Sequence, residues 1–309
     1  MDKERYLSGE LIGGELSITR AAVWKQVEAL KAKGYGIDSS PKKGHRIIAL
    51  PDKTIIPELV SLYIEENLPG RDIPEIVYRD EIGSTNTYAK ELLLRGGRRE
   101  LIVLTDHQVK GRGRLDRVWN NLKGEDIALT IVSAPMVSAA MFYRFTMISA
   151  LAVYDVLSRD IDGAKIKWPN DIYIGNRKIC GILSETVTEE SLIRNMIIGI
   201  GVNVNSAHPE GKSVSLQSIT GKPSDRNKIA AEIIARYLGC YDQVNTDQFK
   251  DVYSEWKSHL AWLGNGVTID TGKETIRGIL KDVSPEGIVT LEIDGTLREF
   301  YSGDLMGTT

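Results

Sequence analysis

Residues 111–119 read Gly111-Arg112-Gly113-Arg114-Leu115-Asp116-Arg117-Val118-Trp119, and no other stretch limits the chain so tightly. Glycine has no side chain, so the backbone can take positive φ and come close to a ligand. Arginine presents a planar fork of N–H donors that matches a carboxylate or a phosphate. Such a string has to be a loop, and a loop with three fixed positive charges and an aromatic plane at its end is a candidate clamp for an acid or a phosphate ester. A merely solvated basic loop leaves the glycine alternation and Trp119 unexplained.

The 309 residues are 42% hydrophobic, enough for one large core and one or two small domains. Two cysteines, Cys180 and Cys240, and four scattered histidines give no metal-ligand spacing and no disulfide framework. A reducing compartment fits this pattern, and a protein-bound metal cluster is not expected. No apolar run approaches the length of a membrane span and the first residues lack a signal-peptide core, so a cytoplasmic protein without a membrane partner is expected. The net charge of −3 conceals an asymmetry: residues 1–50 carry nine Lys+Arg against six Asp+Glu, which leaves −6 on the remainder. A basic head on an acidic body suggests that the head meets something anionic.

The head, residues 1–50, reads as a small winged helix-turn-helix. Ser8 starts a short helix that Gly13-Gly14 is expected to loosen. Thr19 is a good N-cap for a second helix ending near Lys33, before Gly34. Val23, Val27 and Leu30 fall on one face and would pack inward, leaving Ala21, Lys25 and Glu28 on the opposite side. Tyr35–Ser39 and His45–Ile48, joined by Pro41-Lys42-Lys43-Gly44, form a hairpin wing. Thr19, Arg20, Ala21, Trp24, Lys25, Lys42, Lys43 and Arg46 are the candidate DNA contacts, the basic ones on phosphates and the first helical turns on bases. Only seven residues precede Ser8, too few for the extra helix that a winged helix normally has there, as a truncated or late-assigned start would produce.

Pro51–Pro57 reads as a linker, and the central domain runs from there to residue 262. Asp80–Thr87 passes from a strand end into a helix over Tyr88–Arg95 that stops at Gly96-Gly97, which puts Ser84, Thr85 and Asn86 at a helix N-terminus suited to polar ligand atoms. A simple helix cap explains the same residues. Ile127–Ser133 is an apolar strand and Ala140–Arg159 a core helix. In Lys165-Ile166-Lys167-Trp168-Pro169-Asn170-Asp171-Ile172, the proline bars a helix and holds Lys167 at a strand end facing a cleft. Arg177–Glu185 and Ile198–Asn205 are paired strands with small residues where something must approach closely. Gly199-Ile200-Gly201 lacks the third glycine of a dinucleotide fingerprint, and Ser206 stands where a phosphate loop ending at Ser213 needs glycine. Helices over Arg226–Leu238 and Thr246–Leu260 close this domain. Residues 263–309 alternate four short β-runs, 267–270, 275–280, 287–293 and 298–301, with turns, which describes a small SH3-type β-barrel.

These motifs, in this order, resemble the biotin protein ligases, and in particular the bifunctional ligases that also repress a biotin operon. The implied architecture is α+β: an N-terminal winged helix-turn-helix, a central mixed α/β catalytic domain of the biotin/lipoate ligase type and a C-terminal SH3-like barrel. The resemblance implies that biotin and ATP are substrates, joined as biotinyl-5′-adenylate, with Mg²⁺ held mainly through the phosphates. The biotinyl group then passes to a lysine of a biotin carboxyl carrier protein. It implies Ser84, Thr85, Asn86 and Gln108 around the biotin ring, and Arg112, Gly113, Arg114 and Lys167 on its carboxylate, with Lys167 also at the α-phosphate. Arg117, Trp119, Asn170, Asp171, Lys178 and Asn203 fall on the nucleotide side. Operator DNA and a ligand-induced homodimer are the further expected partners. Departures at Asn120–Thr130, where the family commonly has a Ser-Pro pair and a Leu-Tyr strand, weaken the adenine-side carry-over. A lipoate protein ligase of the same fold and a biotin-sensing repressor without ligase activity are the alternatives.

Overall fold

The computed structural model describes residues 6–32, 34–49, 54–96, 99–207 and 211–308. The chain divides into two compact units, Met1–Thr54 and Ile55–Thr309.

In the first unit, α1 (Gly9–Leu16) starts where the Ser8 hydroxyl accepts from the Leu11 amide at 3.0 Å. The glycine pair does not loosen it. The helix runs through both glycines and is closed by Ser17, whose amide donates back to the Gly13 and Gly14 carbonyls from the left-handed region. Thr19 caps α2 (Arg20–Ala32), its hydroxyl accepting from the Ala22 amide at 3.2 Å. Val23 and Val27 are buried, while Leu30 is only half-buried; the expected end at Lys33 lies outside the described residues. The wing is β1 (Gly36–Ser40) against β2 (Gly44–Ala49). Among the described residues no helix precedes α1; Leu7 instead bridges to His45 on the wing.

The second unit opens earlier than the linker reading placed it. Residues 51–53 lie outside the described residues, but Ile55 and Ile56 are already buried and Pro57 is the first residue of α3 (Pro57–Asn67). Proline suits that position because its missing N–H would be unpaired there anyway. The Ile55 amide donates to the Asp106 carboxylate, which also takes the Tyr78 hydroxyl at 2.6 Å and the Arg226 guanidinium at 2.7 Å. Arg226 and Asp106 are both almost wholly buried, an arrangement that is stable only because each is paired and hydrogen-bonded.

After α3 come β3 (Glu75–Ile82), α4 (Thr85–Leu94), β4 (Leu101–Gln108), β5 (Ile127–Ser133), β6 (Val137–Ser138) and α5 (Phe142–Leu157). Gly96, at φ 76°, follows α4, and Gly97 is outside the described residues. Then follow β7 (Ala164–Lys167), β8 (Asp171–Ile174), β9 (Arg177–Glu189), β10 (Leu192–Val202), α6 (Leu216–Thr220), α7 (Arg226–Tyr241) and α8 (Phe249–Ser258). The strands form one mixed sheet in the order β3-β4-β5-β10-β9-β8-β7, with β6 against β10. Among the described strands only β3 and β4 pair in parallel; α4 makes their crossover and covers a small patch of Ala89, Leu101, Val103, Val132 and Ile197. The opposite face carries the main core, into which α3, α5, α7 and α8 pack.

One expectation about length is corrected here. Ala139–Leu157 is helical over 19 residues with mean hydropathy 1.3, long and apolar enough by those measures to cross a membrane. It lies instead against the sheet and α7, with Phe145, Ile148, Leu151, Ala152 and Val156 buried.

The tail forms an antiparallel sheet of five strands: β11 (Gly266–Asp270), β12 (Thr275–Val283), β13 (Val289–Ile293), β14 (Thr296–Phe300) and β15 (Asp304–Gly307), in the order β14-β13-β12-β11-β15. The sequence showed four of these runs; β15 was missed. Val267, Ile269, Leu280, Leu291 and Leu305 belong to the same continuous core as α5 and the large sheet.

Candidate active site

The turn from β3 into α4 places Ser84, Thr85 and Asn86 under the end of β4, and simple capping does not account for them. Ser84 is the N-cap residue, yet its side chain makes no cap hydrogen bond. Thr85 donates through its amide (2.8 Å) and its hydroxyl (3.0 Å) to Gln108 Oε1. Asn86 is buried; its amide nitrogen donates to Glu185 at 2.8 Å and to the Leu183 carbonyl at 3.2 Å, and its oxygen accepts from Thr130 at 2.6 Å. A β-carbon on Gly199 would stand 2.4 Å from that oxygen, so the strand can pass Asn86 only because the residue is glycine. Both N–H donors of Asn86 are therefore engaged within the protein.

The glycine loop is a small closed hairpin. Trp119 N donates to Gly111 O (3.0 Å), Gly113 N donates to Arg117 O (2.7 Å), Arg112 pairs with Val118, and Leu115 turns the tip at φ 54°. Its three arginines each reach a different wall. Arg112 lies 3.6 Å from Glu185 on β9, Arg114 donates to Asn170 Oδ1 at 3.2 Å, and Arg117 donates to Asp304 Oδ2 at 3.0 Å. Trp119 lies over Gly201 and beside Gly181, with the Lys178 ammonium 5.6 Å from its ring centre; its buried indole N–H has no hydrogen-bond partner among the described residues.

Lys167 ends β7. Its side chain is only 6% exposed, its Nζ donates to Asp304 Oδ1 at 2.7 Å, and it lies 5.0 Å from the Tyr173 ring centre. Across the turn, Asp171 pairs with Lys178 at 2.7 Å, and Asn170 donates to the Ile182 carbonyl. Asn203 ties the end of β10 to the following loop by donating to the Val214 carbonyl at 3.1 Å.

These segments enclose one cleft of about 660 Å³. Ser84, Thr85, Asn86, Gln108, Arg112, Gly113, Arg114, Arg117, Trp119, Asn170, Asp171, Lys178 and Asn203 all line it; Lys167 does not, standing behind Asp304, which does. Sequence reasoning missed Glu185, Tyr173 and Asp304. Glu185 closes a motif that was read only for its small residues, whereas Asp304 sits in the tail with no local signal. Burial opposes ionisation of both carboxyls. For Glu185, the hydrogen bonds of Lys90 and Asn86 outweigh it, and for Asp304 those of Lys167 and Arg117, with the neighbouring cations adding to the effect, so both are held below the ordinary carboxylate range. Away from the cleft, Asp155, Glu255 and His259 lie close together, but Arg236 bridges the two carboxylates at 2.6 and 3.0 Å.

On the head, Arg20, Ala21, Trp24 and Lys25 are exposed along α2, opposite buried Val23 and Val27, and Lys42 and Lys43 are exposed at the wing tip. Arg46 differs. It is half-buried and held by Asp38 at 3.3 Å, sharing the Tyr6 ring with exposed Lys43, so it is less free to meet a phosphate than the two lysines.

A strand-crossover-strand unit, a cationic hairpin and a buried strand-end lysine around one cleft define a class, and residues 78–203 match the model of the biotin/lipoate A/B protein ligase family, while residues 1–46 match that of an HTH domain. The bifunctional ligase/repressor BirA of Bacillus spizizenii is 30% identical over 307 residues, covering 97% of this chain and 93% of that protein. The BirA of Escherichia coli is 26% identical, with coverages of 96% and 92%. Among solved structures, the biotin protein ligase of Aquifex aeolicus in complex with biotin and ATP superposes with a TM-score of 0.65 at 24% identity, covering 76% of this chain and all of that one. The chain belongs to the BirA family of bifunctional ligase/repressors.

Proposed function

We propose that this protein is an ATP-dependent biotin protein ligase that also acts as a biotin-responsive transcriptional repressor. It joins biotin to ATP as biotinyl-5′-adenylate, releases pyrophosphate, and passes the biotinyl group to a lysine of a biotin carboxyl carrier protein. The observation that carries this reading is the convergence of segments far apart in sequence on one cleft whose cations outnumber its carboxylates.

A carboxylate attacking an α-phosphate brings like charges together and needs little proton transfer, so the protein's work is positioning and charge neutralisation. Ser84, Thr85 and Gln108 face the biotin ring, and Asn86, with its donors engaged, holds Glu185 and β9 beneath it. Arg112, Gly113 and Arg114 wrap the biotin carboxylate, and Lys167 serves carboxylate and α-phosphate. Arg117, Trp119, Asn170, Asp171, Lys178 and Asn203 form the nucleotide side. Mg²⁺ arriving with ATP would supply further neutralisation on the phosphates. Asp171 and Asp304, the carboxylates described in the cleft lining, each face a lysine, which fits a metal carried in by ATP better than one caged by protein. The hairpin shields the mixed anhydride from water.

The head binds operator DNA through Thr19, Arg20, Ala21, Trp24, Lys25, Lys42, Lys43 and, to a lesser degree, Arg46. Adenylate binding promotes a homodimer that presents two heads to a two-fold site and raises affinity through effective concentration. Incubation with a carrier domain, biotin and Mg-ATP, with lipoate as control, followed by an avidin blot, tests the ligase. Labelling of the carrier by biotin is expected; transfer of lipoate alone, or none, would overturn it. Sedimentation with and without biotinyl-adenylate tests the dimer, and a monomer in both states would sink it.

A further inference from the structure

We infer that Asp304 is a positioning residue that occupies the anion site of the cleft until a ligand anion displaces it. This rests on the ligase reading for the identity of that anion. Its two oxygens are divided between two cations, Lys167 at 2.7 Å and Arg117 at 3.0 Å, whose positions lie fifty residues apart in sequence. Both cations are those the reaction needs for a carboxylate or a phosphate, and both already hold a carboxylate of the protein's own. Arg114 is drawn to the same strand entry, donating to the Gly303 carbonyl at 3.5 Å, and Arg112 faces a second internal carboxylate, Glu185. The cationic hairpin is thus closed on internal acceptors.

Charge and burial give this bridge its direction. Lys167 is almost wholly buried, and a buried ammonium without a partner would be strongly disfavoured. Asp304 therefore supplies the counter-charge to Lys167 where it stands behind the cleft wall. An arriving anion that takes over Lys167 and Arg117 leaves the charge balance of the site intact and frees β15, so ligand occupancy is felt at the start of the last strand. The swap makes and breaks ion pairs only; no proton or covalent bond moves.

The test uses the full chain without turnover. Biotin alone and inorganic pyrophosphate alone are titrated calorimetrically into the wild type and Asp304→Asn, with biotinamide as the uncharged control. Removing the competing charge should tighten whichever anion replaces Asp304, carboxylate or phosphate, by several-fold and leave biotinamide unmoved. Trypsin should cut after Arg117 faster in Asp304→Asn than in the wild type, and saturating the tightened anion should restore protection. Asp304→Glu should return anion affinity and cleavage towards wild type, which a merely structural role would not produce. If Asp304→Asn does not fold, Asp304→Ser serves, since it likewise removes the carboxylate from between Lys167 and Arg117. Anion affinities unchanged or weakened in a folded variant would overturn the proposal. Neither readout needs the carrier to be biotinylated, so the proposal and the ligase reading fail separately.

Discussion

Trp119 and Gly201 are matched surfaces: a β-carbon on Gly201 would stand 2.3 Å from the indole ring. The contact ties the end of the cationic hairpin to a central strand of the sheet. Gly201→Ala should expel the indole, open the hairpin and lower adenylate formation by at least about tenfold, since a misplacement of about 1 Å can cost on the order of a hundredfold. The Trp119 contribution to fluorescence, obtained by difference against Trp119→Phe, should shift to the red. An unshifted spectrum with normal activity would show that the ring is not needed where it lies.

In the proposed reaction Lys167 neutralises charge on the reacting anions, so its loss should appear in the chemical step. Lys167→Gln is expected to slow biotin-dependent pyrophosphate exchange by about 10²- to 10³-fold, the range for removing one preorganised donor from a reacting anion. Asp304 still has Arg117 in this variant, so the fold should persist. Normal exchange in a folded Lys167→Gln would remove Lys167 from the mechanism.

Acid should loosen the cleft in a defined direction. Glu185 and Asp304 have folded-state pKa values below their ordinary values of 4.5 and 3.8. Their stabilisation is therefore fully present above those values and is lost as pH falls through the depressed folded values. Thermal melts of the wild type and Glu185→Gln should differ by a constant amount above about pH 5 and converge as pH drops below the ordinary carboxylate range. Parallel curves down to pH 3 would contradict the assignment.

Lys42 and Lys43 project from the wing with no carboxylate bound to them among the described contacts, unlike Arg46. If they contact phosphates, each substitution to alanine should weaken operator binding about equally for all sequences and reduce the log–log salt slope by about 0.9. Arg46→Ala should reduce the slope by less and lower the head's stability more, because its main partners are Asp38 and Tyr6. A full-unit slope change for Arg46→Ala would reverse this ranking.

The parts of the cleft that were legible in the sequence are those carried by contiguous strings. Gly-Arg-Gly-Arg, Ser-Thr-Asn and Lys-Trp-Pro-Asn-Asp each bring their chemistry within a few residues, and each lands where the strand ends deliver it. What escaped was long-range or short. Asp304 meets Lys167 across 137 positions, and a single acidic residue after Gly303 gives no sign of it. Strand β15 is four residues long and exists by pairing with β11. Helix α3 was hidden because its first proline reads equally well as the end of a linker. The glycine pair in α1 misled because propensity is a weak prior once a cap at Ser8 and a left-handed Ser17 fix both ends.

The tail sheet shares its interior with the large sheet: Leu305 and Ile269 belong to the same apolar cluster as Phe145 and Ile166. Trimming the gene after α8 to obtain a minimal enzyme would thus not detach an accessory module. It would strip the back wall from the reaction chamber, bare the interior surface behind it, and leave the buried ammonium of Lys167 facing water where its counter-ion had been.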